Sequence, residues 1–219
     1  MGKGVIILGG LGNGSVVASA ILDARKNNSS EWEFAGYLND RIETGRKIEG
    51  LPVLGKLDQV GNFLERGYYF INTIYRIEGQ KERIQLFESL KIPEERMATF
   101  IHPTAYIAPD VEIGNGTAIL PQVIISPGVK IGRCCLIMSG AFIGHNDFID
   151  DHCHLAAQSC LSSMISIGRG VHIGLNATVR EGLKIGAYAT LGMGSVLLND
   201  IGKNEIWVGN PARFLKMVT

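Results

Sequence analysis

This 219-residue chain has no excess of either charge, its 21 Lys and Arg being matched by 21 Asp and Glu. Without a basic field, nothing draws it to nucleic acid or to an acidic membrane surface. It also lacks a run of about 18 apolar residues, the length a helix needs to cross a bilayer, and its start lacks a charged segment leading into a cleavable apolar stretch. The expectation is a cytoplasmic protein whose partners are small molecules or further copies of itself. Its four cysteines, Cys134, Cys135, Cys153 and Cys160, show no C-x-x-C spacing. They fall where small buried side chains are wanted and read as packing, not as a disulfide or zinc framework.

What the chain does have is 46% apolar residues, ample for a packed core, and 28 glycines whose placement changes along its length. They cluster in residues 9–14, thin out to residue 100, then recur. In the first stretch Val5–Leu8, Glu33–Leu38 and Tyr68–Ile74 read as strands, and Gly14–Arg25, Leu57–Arg66 and Gln80–Leu90 as helices. That alternation predicts a small parallel, Rossmann-like α/β sheet over residues 1–97.

From Ile101 a period of six takes over: Ile101, Ile107, Ile113 and onward to Leu191 and Leu197, seventeen aliphatic residues without a miss. Four residues after each comes a small or branched one, as in Val111, Val123, Val129, Cys135, Ala141, Cys153, Val171 and Ala177, with Asp147 the one charged member. Strand side chains alternate, so these two rows share a face and each hexapeptide is a short strand plus a corner. Strands this short bury nothing alone, so the coils must stack as a solenoid over residues 98–219.

The pattern resembles the left-handed parallel β-helix of the hexapeptide acyltransferases, in which three hexapeptides close one triangular coil. The resemblance implies that handedness, which runs against the usual right-handed crossover. With eighteen residues per coil, outward residues sort into three columns. Tyr106, Ile124, Phe142, Cys160, Thr178 and Val196 form an apolar one; Glu112, Lys130, Phe148, Ser166 and Lys184 a mixed one; Ala118, Leu136, His154, His172 and Thr190 a third. An apolar stripe needs cover, from the first domain or, more simply, from another copy. The resemblance implies a homotrimer of parallel prisms with active sites in the grooves between them.

Of five histidines, His145 falls at a corner directly after the strand of Phe142. The run Phe142-Ile143-Gly144-His145-Asn146-Asp147-Phe148-Ile149 resembles the active-site turn of bacterial acyltransferases that modify amino-sugar nucleotides or sialic acid. There the histidine is the general base, which suits a group that titrates near neutrality. Asn146 stands where relatives often carry a carboxylate, which leaves Asp147 as the nearest acid; a buried Asp147 needs a partner. The resemblance further implies that acyl-CoA, here acetyl-CoA, meets His154, Gly174, Gly192 and Met193. The closing Gly209-Asn210-Pro211-Ala212-Arg213 resembles the family's G-x-P-A-[KR] ending, and either sets Arg213 near a CoA phosphate or leaves it on a solvated cap. His102 and His152 read as surface residues.

Two other classes stay open. Some proteins on such a helix are zinc-dependent carbonic anhydrases, but His154 and His172 supply two ligands where three are needed, so no metal is expected. A non-catalytic scaffold would release no thiol with any acceptor.

In the first domain, Gly9-Gly10-Leu11-Gly12-Asn13-Gly14 follows a strand and opens a helix, leaving amides free for an anion. This run, with Leu38-Asn39-Asp40, resembles the domain that holds the acceptor's nucleotide in those sugar acyltransferases. Gly10, Gly12, Asn13, Gly14, Asn39 and Asp40 are thus implied as acceptor-binding. The later Asn72-Thr73-Ile74-Tyr75-Arg76 lacks the glycine many relatives have there. The expected activity is transfer of an acetyl group from CoA to an amine or hydroxyl of a nucleotide-linked sugar or sialic acid.

Overall fold

The computed structural model describes residues 2–27, 29–75 and 78–218; Arg76, the end of the glycine-free segment noted above, lies outside them. Strand β1 (Lys3–Leu8) lies inside the first sheet, flanked in parallel by β2 (Trp32–Leu38) and β5 (Tyr69–Asn72). Its Val5-Ile6-Ile7-Leu8 run is wholly buried, as befits a strand covered on both faces. Helix α1 (Asn13–Lys26) lays Val17, Ala18, Ile21 and Ala24 on the sheet, and ends with Arg25 and Lys26 where cations suit the helix dipole.

The sheet differs from the expected one at its edge. A hairpin of β3 (Lys47–Ile48) and β4 (Leu51–Gly55) adds an antiparallel pair, giving the order β3-β4-β2-β1-β5. Its two-residue turn sets Glu49 and Gly50 at positive φ, the geometry that matches strand twist. The predicted Leu57–Arg66 helix starts as a 3₁₀ turn and becomes α2 (Val60–Glu65). Helix α3 (Gln80–Ser89) follows β5.

From Phe100 the chain is a left-handed parallel β-helix. Two-residue strands stack at intervals of eighteen, Ile124 on Phe142 on Cys160 and His154 on His172, into sheets of 6, 5 and 8 strands, the last ending in the longer Glu205–Val208 and the antiparallel Arg213–Met217. The inward aliphatic row forms one continuous core from Ile119 to Ile201. A further row sets the corners. Residues 116, 122, 128 and so on by sixes to 194 all have positive φ, shared among glycines such as Gly116 and Gly128 and residues such as Asn146, His152 and Asn176. Only glycine takes that conformation freely, with Asn next in tolerance.

The first domain lies across the third column. Ala118 and Leu136 join α1 residues Val17, Ala18 and Ile21 in one apolar cluster. Gln80 of α3, itself wholly buried, donates to Thr190 Oγ1 at 2.7 Å. His154 and His172 are buried there too, whereas Tyr106, Ile124 and Phe142 of the apolar column stay exposed. Cys135 and Cys153 are buried free thiols; Cys134 and Cys160 are half-buried ones. Among the described residues no helix is long and apolar enough to cross a membrane.

Candidate functional site

His145 stands exposed at its corner, next to exposed Phe142 and Asn146. Its backbone is fixed by the coil above, Met164 N–H donating to His145 O at 3.0 Å. Asn146, in the left-handed conformation the corner demands, brings its amide nitrogen to 3.1 Å from His145 Nδ1. An amide can donate to Nδ1 or, turned over, accept from Nδ1–H. Only the second arrangement leaves a lone pair on Nε2, the atom a base would use.

Asp147 is buried inside the prism, its Oδ1 accepting the Ile165 N–H at 2.8 Å and its Oδ2 without a partner. Burial raises its pKa to about 7 against the pull of the Ile165 and Gly144 amides. Its carboxyl thus lies within the prism, directly beneath the corner that carries His145. Period-two alternation turns it inward, to the opposite side of the strand from exposed Phe148 and away from exposed His145, where it holds the Ile165 amide and so the corner's shape.

A cleft of about 620 Å³ opens where β1, β2 and β5 end, lined by Gly9, Gly10, Asn39, Asp40, Arg41, Tyr75 and Arg83 among others. This is where open α/β sheets receive ligands. The glycine loop has distinct local causes. A Cβ on Gly10 would sit 2.6 Å from Asn39 Nδ2, and one on Gly14 would press on Thr73. Gly12 has open space around it but φ 80 and ψ -117, a backbone only glycine holds without strain. Asn39 donates to Gly9 O and accepts the Arg41 and Ile42 N–H groups, while Asp40 Oδ1 accepts the Leu57 N–H. Both therefore shape the cleft wall through bonds within the protein.

Asn13, the first residue of α1, joins the two halves of the molecule: its amide lies 3.2 Å from His154 Nε2. His154 Nδ1 is in turn 3.0 Å from His172 Nδ1, so one ring donates and the other accepts. Tyr75 stacks on His154 at 4.2 Å between ring centres and 25° between planes. Burial first, then the charge of His172 and of Arg83, holds His154 well below its ordinary pKa. Burial and Arg83 lower His172 to about 4. The Nδ1–Nδ1 bond itself requires that at least one of the two rings be neutral.

His154, expected to meet acyl-CoA, is enclosed by this packing. The ring is 4% exposed, and both of its nitrogens are engaged by Asn13 and His172. Periodicity puts it on an outward column, but cannot say that the chain's own first domain covers that column. His102 and His152, expected at the surface, are also buried. His102 lies beside Asp23 and Thr104, and His152 lies against Phe87, where burial drops its pKa to about 4. Gly174 and Gly192 are glycines for packing: a Cβ on the first would lie 2.5 Å from Met193 N, and one on the second 2.7 Å from Val208 Cγ1. Met193 is exposed at a corner, and Arg213 is exposed with Nη1 on Ala212 O.

Tyr75, Arg83 and Gln80 were not singled out from sequence. They follow β5 and lie on α3, and a polar side chain on a short amphipathic helix carries no mark of what faces it. Among the described residues no group of three or more His, Cys, Asp or Glu is placed to hold a metal ion.

Residues 112–145 match the family described as bacterial transferase hexapeptide (six repeats). The structure is similar to a histidine-to-asparagine mutant of perosamine N-acetyltransferase from Caulobacter crescentus, in complex with CoA and GDP-perosamine. That match has a TM-score of 0.84 and 26% identity and covers 98% of this chain and 97% of that one. The acetyltransferase domain of PglB from Neisseria gonorrhoeae superposes with a TM-score of 0.84 at 25% identity, over 97% of this chain and 100% of that one. In sequence, 29% identity over 184 residues relates 62% of this chain to the bifunctional protein GlmU of Lactobacillus delbrueckii subsp. bulgaricus. The chain spans 40% of the length of that curated relative.

Proposed function

We propose that this member of the hexapeptide-repeat β-helix proteins transfers an acetyl group from acetyl-CoA to an amino group of a nucleotide-linked sugar. The observation that carries the reading is the exposed His145 beside an uncovered apolar column, on a chain that superposes over nearly its whole length on a sugar N-acetyltransferase complexed with CoA and a nucleotide-sugar. A nucleotide-linked amine is preferred over a hydroxyl or a sialic acid because both solved relatives named above are acetyltransferases and the one with a sugar bound is an N-acetyltransferase. Residues 1–97 hold the acceptor in the cleft beside the glycine loop, and residues 98–219 hold acetyl-CoA along the prism.

The chemistry asks little of the protein beyond position and one base. The acceptor amine attacks the thioester carbonyl, its nitrogen forming the new C–N bond. His145 Nε2 takes the proton from that nitrogen while Asn146 Oδ1 holds Nδ1–H. The C–S bond then breaks and CoA leaves as thiolate, receiving the proton that His145 carries. The apolar column closes against a second copy in a homotrimer, whose seam runs past His145 and excludes water from the thioester.

The test is to incubate the protein with acetyl-CoA and a panel of amino-sugar nucleotides and to follow free thiol. Thiol release that needs an amine-bearing nucleotide-sugar is expected. Release with hydroxyl acceptors alone would move the reading to O-transfer, and no release with any acceptor would leave a scaffold.

A further inference from the structure

Among the described residues that line the cleft, Arg83 is a cation that the fold holds in place without giving it an acid. Its guanidinium lies 5.0 Å from the ring centre of Tyr75, and its Nη2 reaches His152 O at 3.4 Å. Its Nε is buried with no partner, and the residue lines the cleft. Among the described residues no carboxylate stands within ion-pair distance of it, and burial lowers its pKa from the ordinary arginine value. By contrast Arg133 pairs with Glu94 and Asp151, and Arg169 with Glu88 and Asp151. A guanidinium does not lose its proton in a protein, so a desolvated one without a counter-ion is costly unless something negative arrives.

The surroundings say what kind of anion. Arg83 lies on the flank of β5, Arg41 at the end of β2 on the opposite flank, and the glycine loop follows β1 between them. Arg41 is exposed and in no ion pair among the described residues, and the carboxylate of Asp40 is already engaged by the Leu57 amide. An elongated ligand with charge at its middle meets a cation on each side and amides below. At about 620 Å³ the cleft is of the size that takes a nucleotide. Tyr75 is held by its stack on His154, so the ring 5.0 Å from the guanidinium is fixed against the β-helix.

We infer that Arg83 binds the diphosphate of a nucleoside-diphosphate-linked acceptor, with the Tyr75 ring beside its guanidinium and Arg41 closing from the other side. This rests on the acceptor reading proposed above and names the residue that would give it charge selectivity.

Calorimetric titration of the wild-type protein, Arg83→Met and Arg83→Lys with UDP, GDP and dTDP, each beside its own nucleoside, tests it. The wild type is expected to bind at least one diphosphate more tightly than the matching nucleoside. Arg83→Met should weaken that diphosphate about 10- to 100-fold, the range for hydrogen bonds to a charged group, and leave the nucleoside little changed. Arg83→Lys should fall between, since it keeps the charge but not the flat fork, and it covers the case in which the Met variant does not fold. In turnover, the KM for the nucleotide-sugar should rise while that for acetyl-CoA stays. A wild type that binds no diphosphate overturns the acceptor reading and this inference together. Equal diphosphate affinity in wild type and variants overturns the inference alone. So does an equal loss of diphosphate and nucleoside, which would make Arg83 merely structural.

Discussion

The prism has two outward columns of the same local geometry and opposite fates. Tyr106, Ile124 and Phe142 are apolar and stand 60%, 45% and 37% exposed. His154, His172 and Thr190 are polar and stand 4%, 7% and 2% exposed. Ordinary hydrophobic logic would reverse them. The difference shows that polarity in a repeat protein's column reports what it is made to meet. The polar column meets the chain's own first domain through directional bonds, Asn13 to His154 and Gln80 to Thr190, which fix one docking pose. The apolar column has no such partner among the described residues, and a stripe of that size is what a second copy would cover.

The sharpest way to break the comparison is to remove one histidine from each environment. His145→Ala should lower turnover by about two to four orders of magnitude, the usual share of a general base, with unfolding temperature unchanged. His154→Ala should instead lower the unfolding temperature, because it strands Asn13 and His172 without their ring partner. Parallel kinetics and thermal melts separate the two. Near wild-type turnover in His145→Ala would remove it from the mechanism.

Next in size is the seam. Phe142→Glu should turn a trimer into monomers at micromolar concentration, since a carboxylate at the centre of an apolar contact cannot be desolvated cheaply. Sedimentation velocity reads this directly, and a wild-type protein that sediments as a monomer would contradict the proposed assembly.

How much of this was legible without coordinates follows from what a period can carry. The inward row from Ile101 to Leu197 was readable because each coil repeats one demand, an aliphatic in a dry interior. The corner row was within reach too, since glycines at 116, 128, 140, 170, 182 and 194 keep the same step of six, but residues such as Gln122, Met164 and Tyr188 at the same φ hide it. The exposure of His145 was legible from its corner position. The burial of His154 was not: it depends on Asn13 and Tyr75, 141 and 79 residues earlier, and no local pattern encodes which face a neighbouring domain will cover. The hairpin at Glu49-Gly50 escaped for a smaller reason, since glutamate is a rare occupant of a turn position at positive φ.

Asp147 offers a smaller effect that separates the inside of the prism from its outside. Its folded pKa of about 7 lies above the ordinary carboxyl value of 3.8, so the folded state holds this proton more tightly than the unfolded one. The associated stability is fully present below about pH 4 and is lost as pH rises through 7. Asp147→Asn removes that dependence. Between pH 5 and pH 8 the wild type should therefore lose about 2 kcal/mol relative to the variant, read from urea unfolding at both pH values. Parallel pH profiles for the two proteins would show that the carboxyl is already ionised in its coil.

The smallest expected effect tests how His145 manages without the neighbouring carboxylate its turn otherwise suggests. Asn146 meets Nδ1 from the next position, in a left-handed corner that aspartate also tolerates. An amide can orient the imidazole, but it accepts or donates with equal ease and brings no charge. A carboxylate in the same place only accepts, so it would lock the proton on Nδ1 and favour the protonated ring. Asn146→Asp should therefore raise kcat/KM several-fold. If the rate falls instead, the amide is in contact with substrate and is not the group that orients the base.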